Sequence, residues 1–394
     1  MTSSRRAGPP SDFPGSRMRN ALLALIGTLF VHCAAADPLT VISFGRADQQ
    51  ALSRAYYGPF RALTGIDVKA FSYDGQTTEL DQMVRSGKPD WDVIQVESRT
   101  LQLGCEQGLF EKLDYHRIGN PGDLIPGALS ECGVGIFTWS MALAYDADKV
   151  KGAPTTWADL WDLKKYPGKR GLRRSAKYTL EIALLADGVE PHDVYKVLAT
   201  EQGVDRAFRK LDRIKSHVVW WEAAAQPAAY LANGNLVMTS AYSLWLDQQR
   251  LKPSLRLAWD ESLYDVDSWA IPKGTPRVSQ AYQFIAFTSR PEQQKVLSDT
   301  LAYGPTNRKA VQLLDAQRAR TIPSAGVNLK HALQVDTAFW ILRGEGLEER
   351  FDRWAPPICR QQIDDDDDEY KDQAVCQDVY GNMRSLRAGE PNKN

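Results

Sequence analysis

The sequence predicts an α/β protein made of two units, and three observations lead to this fold class. Short β-rich runs alternate with segments of helical spacing through most of the chain, with only brief turns between them. This alternation is typical of a largely parallel sheet flanked by helices. The 394 residues are enough for two domains of ordinary size. Helices near the end of the chain are expected to return to the first unit. Two units joined by two crossings predict a hinged clamp with a ligand between its lobes.

The first 36 residues predict a cleavable export signal. A short basic region at 17–20 precedes an apolar run at 21–31 that is too short to span a bilayer, and small residues follow at 34–36. Asp37 is therefore the expected first residue of the mature protein, which predicts a periplasmic location. The segment before Met18 is expected to be an N-terminal extension.

The cysteines predict two disulfides. The chain has five cysteines, and cleavage removes Cys33, so an even number remains in an exported chain. Three pairings are possible, and we expect the most local one, Cys105–Cys132 together with Cys359–Cys376. No histidine lies at ligand spacing from these cysteines, which argues against a metal site.

Composition and motifs exclude several functional classes. The formal net charge of −1 gives no reason to expect nucleic acid or a membrane surface as a partner. The five histidines are scattered, and the sequence contains no HExxH, GxSxG or phosphate-cradling glycine loop. We therefore expect no enzymatic activity. We also expect a monomer without cofactor. An exported glycosidase that uses Asp265 and Asp267 as a carboxylate pair is the enzymatic alternative. Neighbouring side chains on one strand face point in nearly the same direction, however, so this pair would need partners elsewhere in the chain.

The first unit is predicted to alternate strictly between strands and helices. Small ligands of such sheets bind at the carboxyl ends of the strands, and Gly45-Arg46 and Glu97-Ser98 occupy these positions. The predicted strands are 39–44, 66–68 and 91–96, and the predicted helices are 49–63, 79–85 and 101–109.

The second unit is predicted to begin with an apolar strand that carries Trp139 in its middle. Thr155 or Thr156 is the expected cap of the helix that follows. The predicted strands are 134–145, a short one within 167–172, 218–221 and 236–240, and the predicted helices are 156–161, 175–186, 193–198, 204–214 and 227–232.

The stretch Trp259–Lys273, which ends the second unit, carries the strongest candidate for ligand contact. Its second part alternates as a strand does, which puts Asp265, Asp267 and Trp269 on one face. Such a strand can place Asp267 in a cleft, with Tyr264 as a nearby wall. A carboxylate supplies charge for a small cation, and an aromatic ring face attracts ammonium. A polar strand end with solvated acids is the alternative interpretation.

The two crossings set the expected domain boundaries. Residues 37–140 and 272–355 form lobe 1, and residues 141–271 form lobe 2. The tail, 356–394, is polar and acidic, and its run of acids lacks the spaced ligands and glycine of a calcium loop, so a solvated loop is expected. The helices predicted after the second unit are 280–288, 291–300, 334–340 and 347–354.

Six short stretches carry a family resemblance: Thr64–Ile66, Trp91–Ile94, Gly108–Phe110, Thr156–Trp161, Asp267–Pro272 and Tyr303–Asn307. In their order and spacing they resemble the periplasmic solute-binding proteins of ABC transporters, in the spermidine/putrescine-binding group. The resemblance covers residues from about 37 to 354. It implies the two-lobed type II fold, in which each lobe has a central, mostly parallel sheet and two crossover strands form the hinge. It also implies capture of a small amine and delivery to a permease in the inner membrane.

The resemblance further implies residues of a binding site. Asp267 matches the amine-binding aspartate of the family, Tyr303 matches a wall tyrosine, and Phe44 lies near the first aromatic wall. The acids that hold the far amine in typical polyamine binders fall on Ser175 and Tyr178 in this chain.

These departures suggest a site with opposite charges at its two ends. Tyr242 lies close to the position of another wall residue, and Arg174 offers a guanidinium, the natural bidentate partner of a carboxylate. One end is therefore expected to hold an ammonium through Asp267 and Glu97, and the other end a carboxylate through Arg174 or Arg46.

The main functional prediction is an extracytoplasmic receptor for a polyamine such as putrescine or spermidine. The first alternative is the same fold binding an ω-amino acid such as 4-aminobutyrate. The second alternative is a ferric ion, for which Tyr242, Tyr264 and Tyr303 with Asp267 are the candidate ligands.

Overall fold

The computed structural model describes residues 37–248 and 252–355 and three further strand segments in the tail. The predicted export signal and the acidic run of the tail lie outside these residues. None of the helices in the described part of the chain combines the length and the apolarity that crossing a bilayer requires.

The strands are β1 Leu39–Phe44, β2 Val68–Tyr73, β3 Val93–Glu97, β4 Gly133–Asp146, β5 Arg170–Arg173, β6 Val218–Trp221, β7 Met238–Tyr242, β8 Leu255–Ala270, β9 Gly304–Pro305, β10 Leu333–Gln334, β11 Ile358–Gln361, β12 Gln373–Gln377 and β13 Met383–Arg387.

The helices are α1 Arg46–Leu52, α2 Gly58–Thr64, α3 Thr78–Arg85, α4 Ser98–Glu106, α5 Trp157–Trp161, α6 Ala176–Ala186, α7 Val194–Leu198, α8 Glu201–Asp212, α9 Gln226–Ala232, α10 Ser243–Gln248, α11 Val278–Thr288, α12 Pro291–Thr300, α13 Arg308–Leu313, α14 Ala316–Ala319, α15 Gly326–Leu329 and α16 Thr337–Trp354. A π-helical segment, Ser53–Tyr57, joins α1 to α2, and short 3-10 helices occur at Tyr115–Arg117, Pro121–Asp123, Pro126–Ala128, Pro191–Asp193 and Lys215–His217.

The sheet consists of two parallel sets of strands joined by two long antiparallel strands. β1 runs parallel to β2 and β3, and β5 runs parallel to β6 and β7. Between these sets, β8 and β4 pair with each other in antiparallel orientation, which makes the order β2-β1-β3-β8-β4-β7-β5-β6. The predicted α/β class, with a central sheet flanked by helices, is confirmed.

Each set of strands has its own apolar core. One core contains Phe60, Trp269 and Phe284, and the other contains Trp157 and Trp221. Trp139, in the middle of β4, packs against both cores. The long strands therefore connect two separately packed halves, as a crossover strand would.

The pairing of β4 and β8 bears on the expected lobe boundaries. The boundary after residue 140 falls inside β4, close to the register shift between Met141 and Leu143. The boundary after residue 271 falls beyond β8, yet the end of β8 pairs with β3 through Glu97↔Asp267 and Ile94↔Ala270. We propose that the second crossing lies earlier, within β8 before Asp267.

The last long helix also differs from the prediction, and its residues Trp340, Leu347 and Phe351 pack in the core of the second set of strands. Two helices were expected there, but α16 is continuous from Thr337 to Trp354. Gly344 lies inside it, buried and close to the ring of Trp340, where a Cβ would be 3.4 Å from the nearest ring atom. Packing of Leu347 and Phe351 on the same side stabilises the helix across its glycines, against their low helix propensity.

Of the two expected disulfides, Cys105–Cys132 is confirmed and connects α4 to the segment before β4. Cys359 and Cys376 are directly opposed Cα partners in the antiparallel pair β11–β12. This register is compatible with the second bond, which stays a prediction. The three-stranded sheet β11-β12-β13 in the tail was not predicted.

Candidate ligand-binding site

A cavity of about 480 Å³ opens where parallel strands of both sets end. Phe44 stands at the end of β1, Glu97 at the end of β3, Arg173 at the end of β5 and Tyr242 at the end of β7. The carboxyl ends of the strands thus meet at one cavity, as the predicted α/β architecture requires.

Asp267 forms the acidic side of the cavity. Its side chain is almost fully buried and accepts hydrogen bonds from Gln95 Nε2 at 2.7 Å and Trp139 Nε1 at 3.0 Å. Burial, and then the neighbouring charge of Glu97, raise the pKa of Asp267 well above its usual range. Glu97 itself is exposed and lines the same cavity. The two carboxylates belong to paired residues of β3 and β8.

The other members of the predicted strand face do not enter the cavity. Asp265 accepts a hydrogen bond from Ser98 Oγ at 2.5 Å, and Trp269 packs against Phe284 in the apolar core with ring centroids 5.6 Å apart. Tyr264 lies outside the cavity as well, and its hydroxyl donates to Gln334 Oε1 at 3.2 Å because β10 pairs with this part of β8.

Aromatic side chains from both sets of strands form the walls. Phe44 stacks on Tyr73 at 4.9 Å between centroids, and Tyr303 stacks on Phe137 at 3.9 Å. Phe44, backed by Tyr73, and the pair Tyr303–Phe137 therefore present flat ring faces on the side of the first set.

Tyr178 and Tyr242 lie on the opposite side, and with Trp139 of the central strand β4 they form a mutual edge-to-face cluster with centroids 5.5 to 6.3 Å apart. Such ring faces bind alkyl chains and attract ammonium groups. Three residues of the cavity were not predicted as site residues, because the apolar strands that carry them are typical of a buried core: Gln95, Phe137 and Trp139.

Two cations form the basic side of the cavity. Arg173 and Lys177 lie over the ring of Tyr178, at 5.3 and 5.1 Å from its centroid. Both are half-buried, and neither makes an ion pair with a carboxylate among the residues that the structure describes. Burial raises the pKa of Tyr178 well above its usual range, so its hydroxyl stays neutral.

Arg174, the predicted cation, is not brought to the cavity. Its Nη1 lies 2.8 Å from Asp352 Oδ1 on α16. Side chains of successive residues in an extended segment point to opposite faces, so Arg173 and Arg174 diverge at the end of β5. The side chain of Arg46, the other candidate, lies outside the described residues.

A cavity between two strand sets, walled by aromatic rings and charged oppositely on its two sides, is typical of proteins that bind a small solute. Comparison with known proteins agrees with this class. A family model described as bacterial extracellular solute-binding protein matches residues 55–323. The chain belongs to this family.

Known relatives include proteins that carry the name of a ligand. The gamma-aminobutyric acid-binding protein of Pseudomonas aeruginosa PAO1 is 48% identical over 84% of this chain and 96% of that protein. The spermidine/putrescine-binding periplasmic protein of Escherichia coli K12 is 23% identical over 66% of this chain and 76% of that protein.

Solved structures extend the comparison. An ABC transporter substrate-binding protein of Bradyrhizobium japonicum USDA 110 has a TM-score of 0.72 at 33% identity, with 81% of this chain and 100% of that chain covered. The Atu4243 GABA receptor has a TM-score of 0.70 at 29% identity, with 83% and 100% covered. These neighbours are two-lobed binding proteins, so the chain has the periplasmic binding protein fold.

Proposed function

We propose that this protein is the extracytoplasmic substrate-binding component of an ABC transporter and that its ligand is an ω-amino acid of the 4-aminobutyrate class. It captures the ligand in the cavity between its lobes and delivers it to a membrane permease. The observation that carries the proposal is the charge arrangement of the cavity, with Asp267 and Glu97 on one side of β4 and Arg173 and Lys177 on the other.

The acidic side suits an ammonium group. Each carboxylate oxygen of Asp267 accepts one hydrogen bond, from Gln95 or from Trp139. Burial opposes the negative charge of this carboxylate when no cation is near. An incoming ammonium would restore the charged form of this carboxylate. The wall formed by Phe44, and the ring of Trp139, can contact the ammonium and the first methylenes.

The basic side suits a carboxylate group. Arg173 offers a guanidinium whose fork matches a carboxylate, and Lys177 adds a second positive charge. Neither has a carboxylate partner within the described residues, so a ligand carboxylate would satisfy charges that the protein itself leaves unmatched.

The same charges argue against the main sequence-based prediction of a polyamine. A diamine would bring its second ammonium toward Arg173 and Lys177, and like charges repel in a partly desolvated cavity. The 48% identical relative is named for gamma-aminobutyric acid, whereas the polyamine-binding relative is 23% identical. Both observations favour the ω-amino acid.

The ferric alternative has little support. Tyr264, one of its three tyrosines, contacts Gln334 outside the cavity. Within residues 37–248 and 252–355, no group of three or more His, Cys, Asp or Glu side chains is arranged to hold a metal ion.

Isothermal titration of the purified protein with four-carbon probes tests the proposal. Putrescine, butyrate and butylamine each differ from 4-aminobutyrate at one end of the molecule only. We expect 4-aminobutyrate to bind at least about 100-fold more tightly than any of the three, which corresponds to about 2.8 kcal/mol.

Tighter binding of putrescine than of 4-aminobutyrate would contradict the proposal. A matched check is the thermal midpoint, because a ligand present at about 100 times its Kd stabilises the folded state by about 2.7 kcal/mol. Putrescine at the same concentration is expected to stabilise the folded state by no more than about 0.4 kcal/mol, since that concentration does not exceed its expected Kd.

A further inference from the structure

The first turn of α6 is irregular, and two of its residues face the ligand cavity. Lys177 has φ −61° and ψ 131°, and Tyr178 has φ 75° and ψ −40°, so neither is helical. Within the described chain, Tyr178 and Glu261 are the non-glycine residues with a positive φ. A positive φ is unfavourable for a bulky side chain, so contacts around this turn must hold it.

The carboxylate of Glu348, on α16, holds this turn from outside the cavity. Its Oε1 accepts hydrogen bonds from Ser175 Oγ at 2.7 Å and from the backbone N–H of Lys177 at 3.1 Å. Its Oε2 accepts from the backbone N–H of Ala176 at 2.8 Å. These donors belong to the start of a helix, where a negative charge is favoured.

A second contact fixes the neighbouring residues. Asp352, one turn further along α16, pairs with Arg174 at 2.8 Å. Thr179 Oγ1 donates to the carbonyl of Arg173 at 2.8 Å. Residues 173–179 are thus held by polar contacts with α16 and by a hydrogen bond within the segment itself. The contacts with α16 lie on the side of the segment that faces away from the cavity.

We propose that Glu348 is a positioning residue of the ligand site. It does not line the cavity, but it fixes the backbone that directs Lys177 and Tyr178 into it. The affinity for the carboxylate end of the ligand therefore depends on a glutamate that the ligand never touches. This inference rests on the proposed function for the identity of the ligand.

The test compares Glu348→Ala and Glu348→Asp with Glu345→Ala, an exposed glutamate on the same helix. We expect Glu348→Ala to weaken binding of 4-aminobutyrate about tenfold or more, and Glu348→Asp to recover part of the loss, since it keeps the charge. Glu345→Ala is expected to change the Kd by less than about twofold. A lower unfolding midpoint with an unchanged Kd would make Glu348 merely structural and overturn the inference.

A double-mutant cycle shows whether Glu348 acts through the turn. In a Lys177→Ala/Tyr178→Ala background, Glu348→Ala is expected to weaken binding little further, because the side chains that it positions are gone. Fully additive losses would mean that Glu348 acts elsewhere and would overturn the inference.

Hydrogen exchange in the ligand-free protein separates this inference from the proposed function. The amides of Ala176 and Lys177 are expected to lose protection in Glu348→Ala but not in Glu345→Ala. If the wild-type protein binds none of the four-carbon probes, the proposed function fails. The role of Glu348 is then tested by hydrogen exchange alone. Unchanged protection at both amides would overturn it.

Discussion

At the scale of single residues, Asp267 holds its carboxyl group where burial opposes the charge. Its pKa lies well above the usual range, first because of desolvation and then because of Glu97. A folded-state pKa above the unfolded one contributes stability that is present at low pH and is lost as pH rises through the folded pKa. The ligand-free site is thus destabilised toward neutral pH, and a bound ammonium would relieve that penalty.

Asp267→Asn removes this titration and the charge that a ligand ammonium needs. We expect the unfolding free energy of the variant, relative to wild type, to rise as pH increases above about 4 in the ligand-free state. Binding of 4-aminobutyrate is expected to weaken at least about 100-fold, because the buried cation loses its partner. Urea denaturation between pH 4 and 8 and calorimetry measure the two effects.

Asp265→Asn is the matched control, since Asp265 is equally buried and its pKa is also raised, by burial, yet it lies outside the cavity. Its affinity for 4-aminobutyrate should stay within about threefold of wild type. Equal losses of affinity in both variants would speak against a direct contact between Asp267 and the ligand.

Arg173 makes the opposite contribution at the other side of the cavity. We expect Arg173→Ala to weaken 4-aminobutyrate binding about 30-fold or more while changing butylamine binding little, because only the former has a carboxylate. Calorimetry with both ligands is the measurement.

Lys169→Ala, an exposed lysine of the same basic run, removes the same charge without touching the cavity. A similar loss in this variant would show that net charge, rather than a contact with Arg173, controls affinity.

At the scale of elements, α6 is held by its neighbours through buried polar contacts. Glu181 is fully buried within α6 and accepts hydrogen bonds from Trp340 Nε1 on α16 at 2.7 Å and from Tyr195 Oη on α7 at 3.0 Å. Desolvation raises its pKa to about 7. The carboxyl group of Glu181 therefore connects α6 to both α7 and α16, and this group titrates near neutral pH.

Glu181→Gln is expected to reduce the pH dependence of stability. In wild type this group's contribution is fully present below pH 4.5 and is lost as pH rises through 7, which amounts to about 2–3 kcal/mol between pH 5 and 8. The neutral amide does not titrate, so the variant should lose less stability over this range, as urea denaturation would show. The exposed Glu345→Gln should keep the wild-type slope, and an unchanged slope in Glu181→Gln would contradict the expectation.

At the scale of the whole molecule, covalent and apolar contacts stabilise different parts. Each strand set packs around its own core, and Trp139 connects the two. The bond Cys105–Cys132 closes a separation of 27 residues, and Cys132 is buried in a smaller cluster with Ile42 of β1 and Ile94 of β3. Cys359 and Cys376 are Cα partners in the strand pair β11–β12 of the tail, which follows the last residue of either core in the sequence.

Replacing Cys105 and Cys132 together by serine is expected to lower the unfolding free energy by about 3–4 kcal/mol, because the unfolded chain regains its loop entropy. Urea denaturation with and without reductant measures this, and reduced wild type should approach the variant. The Cys359→Ser/Cys376→Ser variant should unfold as wild type does. Thiol titration of unfolded exported wild-type protein should find no free cysteine, and two free thiols would refute the second bond.

The sequence predicted much of the fold because strands and helices have different periods of apolar residues. The order of elements and the α/β class follow from these local patterns, and the disulfide Cys105–Cys132 follows from proximity in the chain. Continuity of α16 through Gly344 did not follow, because packing against Trp340 overrides the local preference of glycine.

The candidate site was predicted only in part. Six of the eight expected residues line the cavity, and they were predicted either from strand ends or from the family resemblance: Phe44, Glu97, Tyr178, Tyr242, Asp267 and Tyr303. Arg174 and Tyr264 lie elsewhere, because a shift of one residue along an extended backbone reverses the direction of a side chain.

Local patterns in the sequence predicted the main strands and helices, and they predicted that acidic, basic and aromatic residues lie near the strand ends. Packing between distant segments directs Arg173 rather than Arg174 into the cavity and brings Trp139 and Gln95 to the carboxylate of Asp267. It also brings Glu348 to the start of α6. Element formation depends on neighbours within a few residues, which the sequence displays directly. A binding site depends on the directions of side chains that are distant in the chain, and those directions exist only once the two strand sets have packed.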